Sequence, residues 1–200
     1  MRVVAGIFRG RPLVAPPGLN TRPITDRVKE TLFNVLGARF CCPGQLPDFA
    51  VADLFAGTGG LGIEALSRGA ETCVFVERER RALRALRANL DKLGVGERTT
   101  VLAENAWSMR PPEVPGGFGL IFIDPPYRDA EDTLRVSDLL EAMAPSLRAD
   151  GLIVFRHEAR AAFPSDQLRT LRVADDRRYG RMHLVFLEKE DTKARRHEGT

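Results

Sequence analysis

The chain reads as an α/β protein: a doubly wound, seven-stranded, mostly parallel sheet preceded by a short basic hairpin and a helix. Three observations predict this. From Phe49 onward, strand-like and helix-like patterns alternate along the chain. Several of the strand segments, "GLIFID" and "GLIVFRHE" among them, are almost continuously apolar, as parallel strands covered on both faces must be. The first long strand runs into a glycine loop, "DLFAGTGGLG", that opens a helix, and such sheets bind ligands where strands end in loops of this kind.

Taken in order, "RVVAGIF" and "RPLVAP" form a hairpin around Arg9-Gly10, followed by the loop "PGLNTRP". A helix starts near Thr25 or Asp26, both good caps, and sets Val28, Leu32, Val35 and Leu36 on one face. Pro43 and Pro47 separate this part from the strand "FAVADLF". The helix "LGIEALSRG", the strand "ETCVFVE" and the helix "RRALRALRANLDKLG" come next, the last with Leu83, Leu86, Leu90 and Leu93 at helical spacing. Gly69 and Gly94 stand where helices end. The remaining strands are "TTVLA", "GLIFID", "GLIVFRHE", "TLRVA" and "MHLVFLE", with a helix across "AEDTLRVSDLLEAMA". This divides the chain into a basic N-terminal appendage (1–45), a main domain (46–190) and a polar tail (191–200).

Two hundred residues suffice for one well-buried core, so cofactor and substrate must share a single unit. No apolar run is long enough for a membrane span, and the first residues lack a secretory h-region, which points to the cytoplasm. Cys41, Cys42 and Cys73 have neither metal-binding nor redox spacing and read as reduced thiols, and no metal is expected. The net charge is only +3, yet Arg2, Arg9, Arg11, Arg22, Arg27, Lys29 and Arg39 face just Asp26 and Glu30 in the first fifth of the chain. A basic end on a near-neutral body suits a face that meets a polyanion.

Gly57, Gly59 and Gly62 satisfy G-x-G-x-x-G, and Glu77 follows Gly57 by about 20 residues, as in dinucleotide-binding folds. The charge argues otherwise. A pyrophosphate wants a helix N-terminus with no anion beside it, whereas here Asp53 ends the strand and would welcome a cation. S-adenosylmethionine carries an ammonium and a sulfonium and no phosphate, and an ionised Glu77 can accept ribose hydroxyls.

At the end of "GLIFID" stands Asp124-Pro125-Pro126-Tyr127. Two prolines fix φ and remove two backbone donors, leaving a carboxylate, carbonyl acceptors and a ring that can stack a base. An exocyclic amine is a poor nucleophile until acceptors hold its N–H bonds while the nitrogen becomes tetrahedral. Asp124 and the Pro125 carbonyl supply those acceptors, and Tyr127 the stacking surface. Trp107 reads as partly buried packing, and His157 and His183 carry no assigned chemistry.

"DLFAGTGGLG", "VFVE", "ENA" and "DPPY", in this order, resemble a class I S-adenosylmethionine-dependent methyltransferase with a Rossmann-like sheet. The segment "RVVAGIFRGRPLVAPPGLNTRPITDRVKETLFNVL" resembles the N-terminus of the RsmD family, which methylates N2 of one guanine in 16S rRNA of the small ribosomal subunit or its assembly intermediate. The resemblance implies that Asp53, Phe55, Ala56, Gly57, Gly59 and Gly62 form the S-adenosyl-L-methionine loop, that Glu77 is the ribose acid, and that Asn105 and Ala106 flank the adenine. It further implies that Thr25 and Arg27 close the methionine end; the basic charge of the first fifth of the chain separately makes Arg2, Arg9, Arg11 and Arg22 the expected RNA contacts. Three rivals remain: an adenine-N6 DNA methyltransferase, which shares the DPPY element; a non-catalytic RNA-binding ribosome-assembly factor; and a dehydrogenase, which explains neither Asp53 nor DPPY.

Overall fold

A computed structural model describes residues 1–16, 24–126, 128–158 and 162–190 of the chain. Arg22, Tyr127 and the polar tail therefore lie outside the described residues. The strands are β1 (Ala50–Leu54), β2 (Thr72–Val76), β3 (Thr99–Leu102), β4 (Phe118–Ile123), β5 (Leu147–Glu158), β6 (Leu171–Tyr179) and β7 (Met182–Lys189). The helices are α1 (Asp26–Arg39), α2 (Gly62–Ser67), α3 (Arg80–Leu93) and α4 (Thr133–Met143). The sheet runs β3-β2-β1-β4-β5-β7-β6, with β1 to β5 parallel and β7 antiparallel to both its neighbours. The chain order thus reverses between β1 and β4, which opens a crevice at their carboxyl ends.

Alternation along the strands sorts the core into two layers. Val51, Phe75, Phe122 and Val154 face α1, α2 and α3, while Ala52, Val76, Ile123 and Phe155 face α4. Leu32, Phe33 and Leu36 of α1 are buried in the first layer, where the Phe33 and Phe122 rings lie 5.7 Å apart. Helix ends follow local chemistry. Thr25 caps α1 by accepting from the Val28 N–H, Asp132 caps α4 by accepting from the Arg135 N–H, and Gly94 ends α3 at φ +67°. Because the Arg39 end of α1 pairs with Glu188, beside the amino ends of the parallel strands, its Thr25 end points to the carboxyl edge.

The N-terminal hairpin is looser than its alternation predicts. One bridge, Arg2 with Pro12, joins its arms, and a wide turn spans the residues between. The reason is that part of the turn's backbone bonds to α2 instead of across the hairpin: Val4 and Ala5 donate to the Glu64 carboxylate, and Phe8 donates to Ser67 Oγ. Val3 and Leu13 are buried in the same layer as the sheet. Arg177 and Arg178 lie on β6, which turns into β7 through Gly180 and Arg181, with Gly180 at φ +63°. Among the described residues no helix is long and apolar enough to cross a membrane, and no cluster of three His, Cys, Asp or Glu side chains is placed to hold a metal.

Candidate active site

The glycine loop leaves β1 through a strained residue. Phe55 has φ +66°, a region that a bulky side chain rarely enters, and such strain collects at ligand sites. Its ring packs 5.0 Å from that of Trp107, whose Nε1 donates to Asp129 and whose face carries the Arg135 guanidinium at 4.5 Å. Trp107 is half-buried in this stack, beside the buried Ala106 and the half-buried Asn105, whose Oδ1 accepts from the Trp107 N–H. Gly57 and Gly59 have φ +57° and +88°. A Cβ on Gly57 would meet open space, whereas one on Gly59 would press on Leu86 and Ile63. Gly57 therefore borders open volume, and Gly59 packs the loop onto α3.

Asp53 and Glu77 both brace this loop. Asp53 is buried, and its Oδ2 accepts from the Gly62 N–H at 2.8 Å, where α2 begins. Burial pushes its pKa up to about 7 against the opposing Gly62 bond, and the charges of Asp124 and Glu77 add to the rise. Glu77 accepts from the N–H groups of Gly57, Arg78 and Glu79. A carboxylate offers about four acceptor positions, so roughly one remains for a ribose hydroxyl while the loop holds this shape.

Asp124 continues β4 beyond Ile123, whose register partners are Leu54 and Phe155. It shares a face with Asp53 and with Arg156, which continues β5 beyond Phe155. Arg156 Nε donates to Asp124 Oδ1 at 2.5 Å, with both side chains largely buried. Burial raises the Asp124 pKa, and the Arg156 guanidinium opposes that rise. Arg156 was not singled out from the sequence, since its contact with Asp124 arises only from the pairing of β4 with β5. Of the two carbonyls in the proline turn, that of Pro126 accepts from Asp129 and Ala130, and the sequence reading had counted it as available. No donor among the described residues takes the Pro125 carbonyl. His157 and His183 face the opposite side of the sheet, ring against ring at 5.1 Å, away from Asp124.

The start of α1 borders the same edge. Thr25 is committed as the helix cap, and the exposed Arg27 offers its guanidinium to the solvent side. Arg9 and Arg11 are exposed on the N-terminal turn, while Arg2 donates to Asp26 at 2.8 Å.

A reversed parallel sheet with a glycine loop after β1 and an acid–proline turn after β4 is the frame of the Rossmann-like methyltransferases, and the chain is a methyltransferase of that class. A solved Escherichia coli structure, described as the candidate methyltransferase YhhF, matches it with a TM-score of 0.76 at 29% identity, covering 96% of this chain and 99% of that one. The family model described as conserved hypothetical protein 95 matches residues 1–188, and the chain belongs to this family, the RsmD family of the N-terminal resemblance. YlbH of Bacillus subtilis, described as a candidate rRNA methyltransferase, is 40% identical over 166 residues, 82% of this chain and 86% of that protein. The ribosomal RNA small subunit methyltransferase D of Escherichia coli K12 is 38% identical over 128 residues, 64% of this chain and 61% of that protein.

Proposed function

We propose that this chain transfers a methyl group from S-adenosyl-L-methionine to the exocyclic N2 amine of one guanine in 16S rRNA, in the small subunit or an assembly intermediate. The observation that carries the reading is the meeting of the Asp124-Pro125-Pro126 turn with the braced glycine loop on adjacent strands. The names of the two rRNA methyltransferase relatives support the substrate class. S-adenosylmethionine, when bound, supplies a methyl group on an electrophilic sulfonium.

The residues fit that group. Once ionised, Asp53 is an acceptor-only carboxylate held against the loop, suited to a cationic ammonium and hostile to a pyrophosphate. Gly57 leaves open space where a side chain would stand, and Ala106 and Asn105 border the Phe55–Trp107 stack on which a flat ring can rest. Asp124 and the Pro125 carbonyl accept the amine's two N–H bonds, which keeps the nitrogen lone pair directed at the methyl carbon. The work of the site is positioning and stabilisation of the positive charge that develops on that nitrogen. Tyr127 stacks the base in this reading.

The deciding experiment is methyl transfer to 16S rRNA and small subunits from cells lacking this protein, and to duplex DNA, followed by nucleoside analysis. The expected product is N2-methylguanosine. Label recovered only as N6-methyladenine in duplex DNA would establish the rival enzyme, and no transfer to any acceptor the assembly-factor reading.

The Asp53 pKa of about 7 gives a second expectation. Its folded-state value lies above the ordinary 3.8, so the protonated form is the one the empty fold favours. The contribution of Asp53 to folding is fully present below about pH 4 and is lost as pH rises through 7. A bound ammonium needs the ionised form. Cofactor affinity should therefore rise by up to about tenfold per pH unit below 7 and level off above it, with proton release on binding near neutrality. Calorimetry in buffers of different ionisation enthalpy measures both. An affinity that is flat from about pH 5.5 to 8.5 would remove Asp53 from the ammonium contact.

A further inference from the structure

Among the described residues, a single contact fixes the Asp124 carboxylate: Arg156 Nε donates to Oδ1 at 2.5 Å, and no donor takes Oδ2. The two side chains come from the ends of adjacent parallel strands, so the register of β4 against β5 sets their separation. Arg156 is itself held in place. It stands opposite Leu184 of β7 in the antiparallel pair, and its Nη1 lies 3.8 Å from Met182 Sδ. Its side chain is 10% exposed and that of Asp124 18%, so the ion pair is nearly closed to water while the carboxylate keeps an open side.

A buried ion pair is a weak source of stability, because desolvation of both ions cancels most of their attraction. Its effect on the carboxylate is stronger. A carboxylate buried without a cation takes up a proton, which makes it a donor where the target amine also donates. The guanidinium acts against this with a permanent charge, and its planar N–H donor also fixes the rotation of the carboxylate. No other charged group near this face does the same. Asp53 at the end of β1 and Glu77 beyond it carry the same sign as Asp124 and disfavour the anion. On the helices that cover the face, Lys29, Glu64 and Arg68 form their own buried group, Asp26 pairs with Arg2, and Arg27, Glu30 and the arginines of α3 are exposed.

We propose that Arg156 is a positioning residue for the methyl transfer: by donating to Oδ1 it fixes the Asp124 carboxylate as an anion and leaves Oδ2 as the acceptor for one N–H of the target amine. This rests on the reading of Asp124 as that acceptor. Because the donor takes one oxygen, charge and orientation are set without filling the position the amine needs. Arg156 acts through Asp124 and touches neither the base nor the cofactor in this reading.

The test compares Arg156→Met, Arg156→Lys and Arg156→Gln with the wild type in two measurements, with thermal melting to show which variants are folded. The first is titration of the Asp124 carboxyl followed by carbon NMR, its signal assigned by its absence in Asp124→Asn. The second is the single-turnover rate of methyl transfer to 16S rRNA and small subunits against pH, with cofactor saturating because Asp53 itself titrates at about pH 7. Arg156→Met should raise the Asp124 midpoint by about one pH unit or more, lower the rate about tenfold or more at pH 7, and regain part of that loss as pH passes the new midpoint. The RNA concentration giving half the maximal rate should change little. Arg156→Lys should restore the midpoint but only part of the rate, since an ammonium lacks the planar donors of a guanidinium. Arg156→Gln keeps a donor without the charge and should shift the midpoint in the same direction as Arg156→Met, so the comparison stands if the methionine variant does not fold. An Asp124 midpoint that is the same in the wild type and the neutral variants overturns the proposal, as does a wild-type rate in them or a rate loss of one constant factor at every pH. A wild-type protein that methylates no rRNA would instead refute the proposed function, and the titration would still decide whether Arg156 holds Asp124 as an anion.

Discussion

Asp124→Asn is expected to lower turnover by roughly 10²–10³-fold while cofactor affinity stays within a few-fold of wild type. Arg156 Nε donates to Asp124 Oδ1, so in the variant the amide oxygen faces the guanidinium and the amide NH₂ turns to where the target amine must donate. Two donors then oppose each other at the reacting nitrogen, and the stabilisation of its developing charge is lost. Asp53 and Glu77, which brace the loop, keep their bonds to Gly62 and Gly57, which is why cofactor binding survives. The variant also removes the carboxylate charge beside a largely buried guanidinium, so some stability is lost. Single-turnover methyl transfer, equilibrium cofactor binding and a melt on the same preparation separate these effects. Turnover at the wild-type rate would take Asp124 out of the chemistry.

How much of this was legible beforehand depends on how local the signal is. The glycine loop, the cap at Thr25, the end of α3 at Gly94 and the apolar strands are set by neighbouring residues, and each lies where its pattern predicts. Pairings across elements are another matter. Nothing in "GLIVFRHE" alone says that Arg156 meets Asp124, because the contact depends on the register of β4 against β5. The helix face "RVKETLFNVL" was read from its apolar spacing as Val28, Leu32, Val35 and Leu36. Leu32 and Leu36 are buried as expected and Val28 and Val35 are half-buried, but Phe33 and Lys29, off that spacing, are fully buried as well, since α1 is covered by both the sheet and the N-terminal turn. A lysine with no exposed surface contradicts composition rules and is explained only by the acid that a distant helix brings to it.

That acid is Glu64, and its loss should produce the largest stability change of any single substitution considered. Its Oε1 accepts from Ala5 N–H and Arg68 Nε, and its Oε2 from Val4 N–H, with Lys29 Nζ at 3.2 Å. Lys29, Glu64 and Arg68 are all essentially inaccessible to water, and Lys29 also donates to the Arg2 carbonyl. In Glu64→Gln the volume is kept, but two buried cations lose their shared anion and the amide NH₂ confronts either Lys29 or a backbone donor. Breaking a buried pair from one side typically costs about 3–5 kcal/mol, which for a chain of this size lowers Tm by about 10 °C or more. Lys29→Met should be milder, because Glu64 and Arg68 remain as a neutral pair with both backbone donors held. The pH dependence identifies the cause. Burial already lowers the Lys29 pKa and Glu64 opposes that fall, so without the carboxylate the pKa drops further. The unfolded chain then binds more protons than the folded one, and stability must rise as pH climbs toward the ordinary lysine value of 10.5. The Tm deficit of Glu64→Gln relative to wild type should accordingly shrink between about pH 7 and 10, while that of Lys29→Met, which has no proton to lose, should not shrink. Equal Tm for Glu64→Gln and wild type at pH 7 would mean that the triad contributes nothing, and a deficit that does not change with pH would mean that packing, not the stranded lysine, is responsible.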